Sequence, residues 1–148
     1  MAFAQGLKTC SVTSVDLRSW LLVSARHARL NVRLPPGYSV ISSDPVEIWG
    51  LPRDGTLAYK VVASPADWSD SLSAYARSRP DQWCAAMVGG KPVIVRTAYA
   101  KRDYKEGWFV QAFWQLRSDR QLRLIGFAPD SVGAQVVLAA VQAVRLTE

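Results

Sequence analysis

A hairpin followed by an apolar helix, within residues 107–146, constrains the fold of this chain more than any other feature. Every second residue from Trp108 to Leu116 is apolar, which is the period of a β-strand. Residues 118–121, Ser-Asp-Arg-Gln, predict a turn, and residues 122–127 predict a second strand. Pro129-Asp130-Ser131 interrupts that strand, and the apolar run after it predicts a helix from Ser131 to about Arg145.

The chain before this stretch is predicted to hold several short strands and one helix. Ser64 and Pro65 are favoured at the N-cap and first position of a helix, which is predicted over residues 65–78. Alternating or short apolar runs predict strands over residues 20–23, 30–34, 40–41, 46–49, 56–63 and 93–100, and residues 83–88 fit either a strand or an irregular apolar link. Sequential hairpins predict an antiparallel sheet, and two helices that must bury apolar faces predict an α+β sandwich in which the sheet lies between helices.

Length and composition predict one globular unit. The chain has 148 residues, 49% of them hydrophobic, which is enough to bury a core. We expect a single domain over residues 28–148, preceded by an N-terminal lead or docking arm over residues 1–27. No run of apolar residues approaches the roughly 18 needed to cross a bilayer.

The net charge of +6 arises from 18 basic and 12 acidic residues. It indicates either a solvated basic surface or contact with an acidic partner, anionic lipid or nucleic acid. Arg29 and Arg33 share one face of a predicted strand, and Arg117, Arg120 and Arg123 surround the last hairpin turn. If these strands pair in one sheet, the five arginines form a basic rim along its edge, which we expect to bind a partner.

The last helix is more apolar than a surface helix. Its polar side chains are Ser131, Gln135, Gln142 and Arg145, so the apolar residues extend beyond one stripe. Either another element covers this flank, for example the N-terminal lead, or a partner does. The candidate partner contacts here are Val137, Val141 and Val144. Trp20 and Trp49 lie in short, weakly patterned segments and are further candidates, because tryptophan is enriched in interfaces.

Cys10 and Cys84 are the two cysteines. They fit either two unpaired thiols, the interpretation we favour, or one disulfide in an exported protein. Ala2-Phe3-Ala4 has the small-x-small pattern found before a signal-peptidase cut. We therefore favour an exported location, periplasmic or extrinsic to a membrane, over a cytoplasmic one.

Catalytic and metal motifs are not apparent. His27 is the one histidine and stands beside Arg26, and no Gly-x-Ser-x-Gly nucleophile elbow occurs. The Asp and Glu residues do not form a ligand set, and Gly89-Gly90-Lys91 lacks the spacing of a phosphate loop. We expect no catalytic residue, cofactor or metal. Nucleic acid is disfavoured because the hairpin aromatics are expected in the core.

Several features resemble the PsbP-like superfamily in the same order. They are an alternating strand that enters Pro-Pro-Gly-Tyr at residues 35–38, the helix at 65–78, the turn at 89–92, the long hairpin at 108–127 and the closing helix. The resemblance implies an antiparallel sheet covered by helices and a non-enzymatic role. Members include extrinsic accessory subunits of photosynthetic membrane complexes, a Ran-binding nuclear import factor and bacterial secretion chaperones.

We therefore expect a non-catalytic accessory subunit that binds a larger protein complex, for example a membrane-bound one, through an acidic or apolar surface of the partner. The alternative is a chaperone that holds an apolar segment of a client protein. A small enzyme and a nucleic-acid binder are the less favoured classes.

Overall fold

The computed structural model describes residues 6–11, 15–25, 30–43, 46–50, 55–63, 68–102, 105–117 and 119–146. Within them the chain forms strands and two helices, which we number in chain order. The helices are α1 (Trp68–Arg77) and α2 (Ser131–Gln142). The strands are β1 (Leu21–Ala25), β2 (Leu30–Leu34), β3 (Ser39–Ser42), β4 (Ile48–Gly50), β5 (Thr56–Ala63), β6 (Trp83–Val88), β7 (Lys91–Arg102), β8 (Lys105–Arg117), β9 (Arg120–Ala128) and β10 (Arg145–Leu146).

The strands form two antiparallel sheets. Seven strands pair in the order β3-β4-β5-β9-β8-β7-β6, and three strands pair in the order β1-β2-β10. The α+β class and the antiparallel large sheet agree with the prediction. The pairing of β2 does not, because β2 joins β1 and β10 in the small sheet instead of the edge of the large one.

The hairpins of the large sheet follow from local sequence. Gly89 and Gly90 both have positive φ, 63° and 79°, and this allows the two-residue turn between β6 and β7. The turn between β8 and β9 is tighter than predicted, because β9 already begins at Arg120. The N-cap predicted at Ser64 lies outside the described residues, and α1 is described from Trp68.

Helix α2 is defined by a cap at its start and a strand after its end. The Asp130 carboxylate Oδ1 accepts a hydrogen bond from the backbone N–H of Gly133 at 2.7 Å, which satisfies one free donor of the first turn. The helix ends at Gln142, earlier than predicted, because Arg145 and Leu146 form β10 and pair with Asn31 and Leu30 of β2.

The apolar flank of α2 is covered by the protein itself. The helix packs against β8 and β9 of the large sheet and against β2 of the small sheet. None of residues 136–144 is exposed. Val137, Val141 and Val144 are between 0% and 3% accessible, so the chain itself covers the three side chains named as candidate partner contacts. Strand β2 of the small sheet is thus an element that covers the apolar flank of α2, which the sequence alone did not identify.

The N-terminal lead also packs on the domain in its described parts. The backbone N–H of Cys10 donates to the Ala85 carbonyl at 2.9 Å, and the Ala85 N–H donates to the Lys8 carbonyl at 2.8 Å. The Gln142 side chain at the end of α2 donates to the Ser11 carbonyl at 2.9 Å. The lead thus joins the edge strand β6 to α2, while a docking role for it stays a prediction.

A disulfide between Cys10 and Cys84 fixes this arrangement. The expectation of two unpaired thiols is therefore wrong. The two cysteines are 74 residues apart in sequence, and the bond attaches the lead to β6, which is the last strand of the large sheet. No local pattern reveals this pairing, because it depends on how β6 is placed relative to residues 8–10.

The two faces of the large sheet are covered unequally. The face under α2 contributes the main core, which includes Trp114, Leu122 and Leu124. On the opposite face a small cluster of Trp83, Ile94 and Phe113 packs with Ala76 and Leu72 of α1. Helix α1 covers only that region of the face, so the complete sandwich of a sheet between helices is not confirmed.

We predict that the double substitution Cys10→Ser and Cys84→Ser lowers the free energy of unfolding by on the order of 4 kcal/mol, because the bond closes a long loop in the unfolded chain. This corresponds to a fall in Tm of roughly 10 °C for a protein of this size. Urea and thermal unfolding of the oxidised protein and the variant measure it. A change below about 1 kcal/mol would contradict a restraining role for the bond.

Candidate partner-binding surface

The face of the large sheet opposite α2 contains an area that the described residues leave open. Ile125 belongs to β9, which is flanked by β5 and β8, yet its side chain is 37% exposed. Its neighbours across the strands, Gln111 on β8 and Ala58 on β5, are partly exposed as well. Side chains in the middle of a sheet are normally buried when an element packs over them.

We name this area the open face and define it by its residues. The register of the strands and the alternation of side chains place them on the same side of the sheet. They come from four adjacent strands, β5, β9, β8 and β7. The open face consists of Ala58, Arg96, Phe109, Gln111, Arg123 and Ile125.

Arg123 has an unusual environment on the open face. Its guanidinium carbon lies 5.2 Å from the centre of the Phe113 ring, a cation–π arrangement. One terminal nitrogen donates a long hydrogen bond, 3.4 Å, to the Gln121 side-chain oxygen, and the buried Nε has no acceptor among the described residues. The residue opposite Arg123 on β8 is thus the aromatic Phe113, and the hydrogen bond from Arg123 to Gln121 is weak.

Burial lowers the pKa of Arg123 from its usual value, since the charged form loses hydration. The guanidinium nevertheless stays charged at neutral pH, because arginine side chains are not deprotonated in proteins. Within the described part of the chain, Arg18 and Asp16 form the ion pair that the structure shows, and no carboxylate pairs with Arg123. The open face therefore carries a partly desolvated positive charge for which the described residues supply no carboxylate counter-ion.

The second arginine of the open face is better satisfied. Arg96 Nε donates to the Gln82 side-chain oxygen at 3.1 Å, in the turn that follows α1. Arg96 stands opposite Gln111, which in turn stands opposite Ile125. The chemistry of the surface is thus an apolar centre with amide and guanidinium groups around it.

Two of the other arginines predicted for a basic rim, Arg33 and Arg120, do not lie beside Arg123. Arg33 lies on β2 in the small sheet, where its guanidinium donates to the Trp20 carbonyl at 3.4 Å. Arg120 is three residues from Arg123 on a regular strand and therefore points to the opposite face. The Arg117 backbone pairs with Arg120 at the end of β8, and Arg29 lies outside the described residues. A single rim that includes Arg33 is wrong because β2 is not part of the large sheet.

The two tryptophans predicted at an interface are buried instead. Trp20 is 6% accessible and belongs to the main core. Trp49 is 3% accessible and meets the Tyr59 ring edge-on, with the ring centres 6.0 Å apart. Both residues lie in short, weakly patterned segments, which gave no sign of burial. Because β4 pairs with β5, Trp49 packs on the core. Their predicted exposure is wrong.

Sequence reasoning missed Ile125 and Gln111, although a signal for them exists. Gln121, Arg123 and Ile125 alternate with Leu122 and Leu124 along β9. Gln111 and Gln115 alternate with apolar residues in the same way along β8. Such alternation is typical of an antiparallel strand with one solvated face. Arg123 was predicted as a partner contact, but its position over Phe113 required the register.

The described residues contain neither a cluster of metal-ligating side chains nor a helix that could span a membrane. No group of three or more His, Cys, Asp or Glu side chains lies close enough together to hold a metal ion. No described helix combines the length and the apolar character needed to span a membrane.

Comparison with known proteins shows the fold. The solution structure of cyanobacterial PsbP (CyanoP) from Synechocystis sp. PCC 6803 is similar to this chain, with a TM-score of 0.54 and 11% sequence identity. The match covers 93% of this chain and 98% of that one. No protein-family model matches the sequence, and no curated protein does. The chain thus has a PsbP-like fold, as the sequence resemblance implied.

We predict that Arg123→Met leaves the free energy of unfolding within about 0.5 kcal/mol of wild type, because the lost cation–π contact is offset by removal of a poorly solvated charge. Phe113→Ala, directly beneath it, is the matched control and should cost roughly 3–5 kcal/mol. Urea unfolding measures both. A loss above about 1.5 kcal/mol for Arg123→Met would show that the arginine is retained for stability.

Proposed function

We propose that the protein is a non-catalytic accessory subunit that binds a larger protein assembly through the open face. The observation that carries the proposal is the combination of an exposed Ile125 in the middle of a sheet with an Arg123 to which the described residues offer no carboxylate partner. Interfaces commonly have an apolar centre surrounded by polar groups. The area spans four strands about 4.8 Å apart, so it is wide enough to take a segment or a flat surface of a partner.

The proposed partner presents a carboxylate to Arg123. A partner carboxylate supplies the counter-ion that the described residues do not, and a guanidinium binds carboxylates with paired hydrogen bonds. The net charge of +6 favours approach to an acidic surface. Ile125 then serves as the apolar anchor beside the ion pair, and Gln111 supplies amide contacts.

The proposed location is outside the reducing cytoplasm, either periplasmic or extrinsic to a membrane. The Cys10–Cys84 bond supports this, because disulfides persist in oxidising compartments. The fold is compatible with an extrinsic subunit of a membrane complex, and a photosynthetic complex is one case that the PsbP-like resemblance suggests. The assembly proposed here is defined only by an accessible acidic surface.

A chaperone that holds an apolar client segment is the second candidate, since Ile125 and the partly buried Phe109 provide apolar contact area. The two functions differ in their response to salt. Binding that depends on the Arg123 ion pair weakens as salt shortens the screening length, which is about 8 Å at physiological ionic strength. Binding of an apolar client does not weaken.

Rebinding to stripped membranes of the source organism tests the proposal. Membranes are washed with concentrated salt to remove extrinsic proteins and then titrated with purified oxidised protein. We expect saturable rebinding of wild type that weakens between about 0.05 and 0.5 M salt. Ile125→Asp should weaken rebinding by about tenfold or more, and Arg123→Met should weaken it and reduce its salt dependence.

Val132→Asp is the matched control, since Val132 is 74% exposed on α2, on the other side of the large sheet. It should rebind like wild type. Equal rebinding of Ile125→Asp and Val132→Asp would contradict the open face as the docking surface. Failure of wild type to rebind, together with salt-independent binding of a soluble apolar peptide, would favour the chaperone. Near-ultraviolet circular dichroism confirms that each variant is folded.

A further inference from the structure

A cavity of about 320 Å³ lies beside the first turns of α2, on the side of the large sheet that faces away from the open face. Several parts of the chain meet there, and three of them carry the argument. Trp20 comes from the segment before β1, Pro35, Pro36 and Tyr38 come from the turn after β2, and Asp130 and Val136 come from the start of α2. Its volume falls in the range of small-molecule sites, about 300–1,000 Å³.

The walls of the cavity are stiff. Proline has a fixed φ, and Pro35 and Pro36 form one side. Trp20 is only 6% accessible and is held in the main core, so its ring cannot move aside without loss of core contacts. Tyr38 is held close to the chain at Gly55, where an added Cβ would overlap the tyrosine oxygen. A cavity with such walls is formed before any ligand arrives.

The chemistry of the lining selects the ligand by charge. Most lining groups are apolar or aromatic, and Asp130 is the one charged residue among those described. Its Oδ1 caps α2 through Gly133, and within the described residues its Oδ2 accepts no hydrogen bond. Arg33 lies near, but it contacts the Trp20 carbonyl from the small sheet and does not line the cavity. The Asp130 carboxylate would repel an anionic ligand, whereas it would form an ion pair with an ammonium group.

From this geometry we propose that the cavity binds a small organic amine, with its aliphatic or aromatic body between Trp20 and the prolines and its ammonium group at Asp130. Aromatic walls favour cations and apolar groups alike, which suits both parts of such a ligand. The site is separate from the open face, so the inference stands independently of the proposed docking function.

Three probes with the same phenyl-butyl body test this site: 4-phenylbutylamine, 4-phenylbutanol and 4-phenylbutyrate. Calorimetric titration gives the affinities, and amide chemical shifts in NMR spectra give the location. We expect the amine to bind with a Kd of about 0.1–1 mM, within the usual limit of binding energy per atom. The carboxylate should bind about tenfold more weakly or worse, and the largest shifts should fall at Trp20, Tyr38 and the first turn of α2.

Asp130→Asn is the informative variant, because asparagine caps a helix as well as aspartate does and removes only the charge. This substitution should bring the Kd values of 4-phenylbutylamine and 4-phenylbutyrate to within about threefold of each other. Asp119→Asn, at the exposed turn before β9, is the control and should leave the preference intact. Val136→Trp should fill the cavity and abolish binding of all three probes.

Three results would overturn the proposal. They are no binding of any probe at millimolar concentration, an unchanged preference in Asp130→Asn, and shifts located away from the cavity. Rebinding of the protein to membranes is measured separately, so failure of the cavity to bind amines leaves the docking function unaffected.

Discussion

Burial of α2 from two directions is the packing interaction on which the rest of the structure depends. The large sheet covers one side of the helix through β8 and β9, and β2 of the small sheet covers another. Close approach to β9 is possible because Gly126 has no side chain: a Cβ there would lie 2.7 Å from Val137 Cγ1. Each fully buried valine stabilises the fold by about 1.5–3 kcal/mol, so a helix rich in such residues is a large part of the core.

The placement of the small sheet follows from that helix. Strand β10 directly follows α2 and pairs with β2, while the lead is attached to β6 by the Cys10–Cys84 bond and to the end of α2 by Gln142. These elements together bury the main core on one side of the large sheet. On the other side, α1 and its small cluster are the cover that the described residues provide, and the central position Ile125 is exposed. This asymmetry leaves the open face available to the proposed partner.

The sequence predicted those features that short-range pattern determines. The bounds of β5 agree with the predicted strand, β6 is the strand among the two interpretations open for residues 83–88, and the hairpin of β8 and β9 agrees with the turn chemistry between them. The α+β class followed from these elements. The apolar character of α2 is also visible in the sequence, and it indicates that a second element or a partner must pack on the helix besides the large sheet.

The identity of that cover was beyond local pattern, because β2 is about a hundred residues away from α2 in the sequence. The alternation within β2 shows that one face is buried but does not show which strands pair with it. For the same reason Arg33 was placed in the wrong sheet. The environment of Arg123 depends on the register of β8 against β9, which sets Phe113 opposite it. The long-range pairing of β2 therefore decided how the core is covered, and the register of the β8–β9 hairpin decided the environment of Arg123.

Native-state hydrogen exchange of the isolated, oxidised protein tests most directly whether α2 is covered by its own chain. The account predicts that amides within residues 136–142 exchange only through global unfolding, with the same opening free energy as the central strands β8 and β9. Exchange several orders of magnitude faster than in β8 and β9 would contradict it, because the helix would then be exposed in the free protein and would need a partner as its cover.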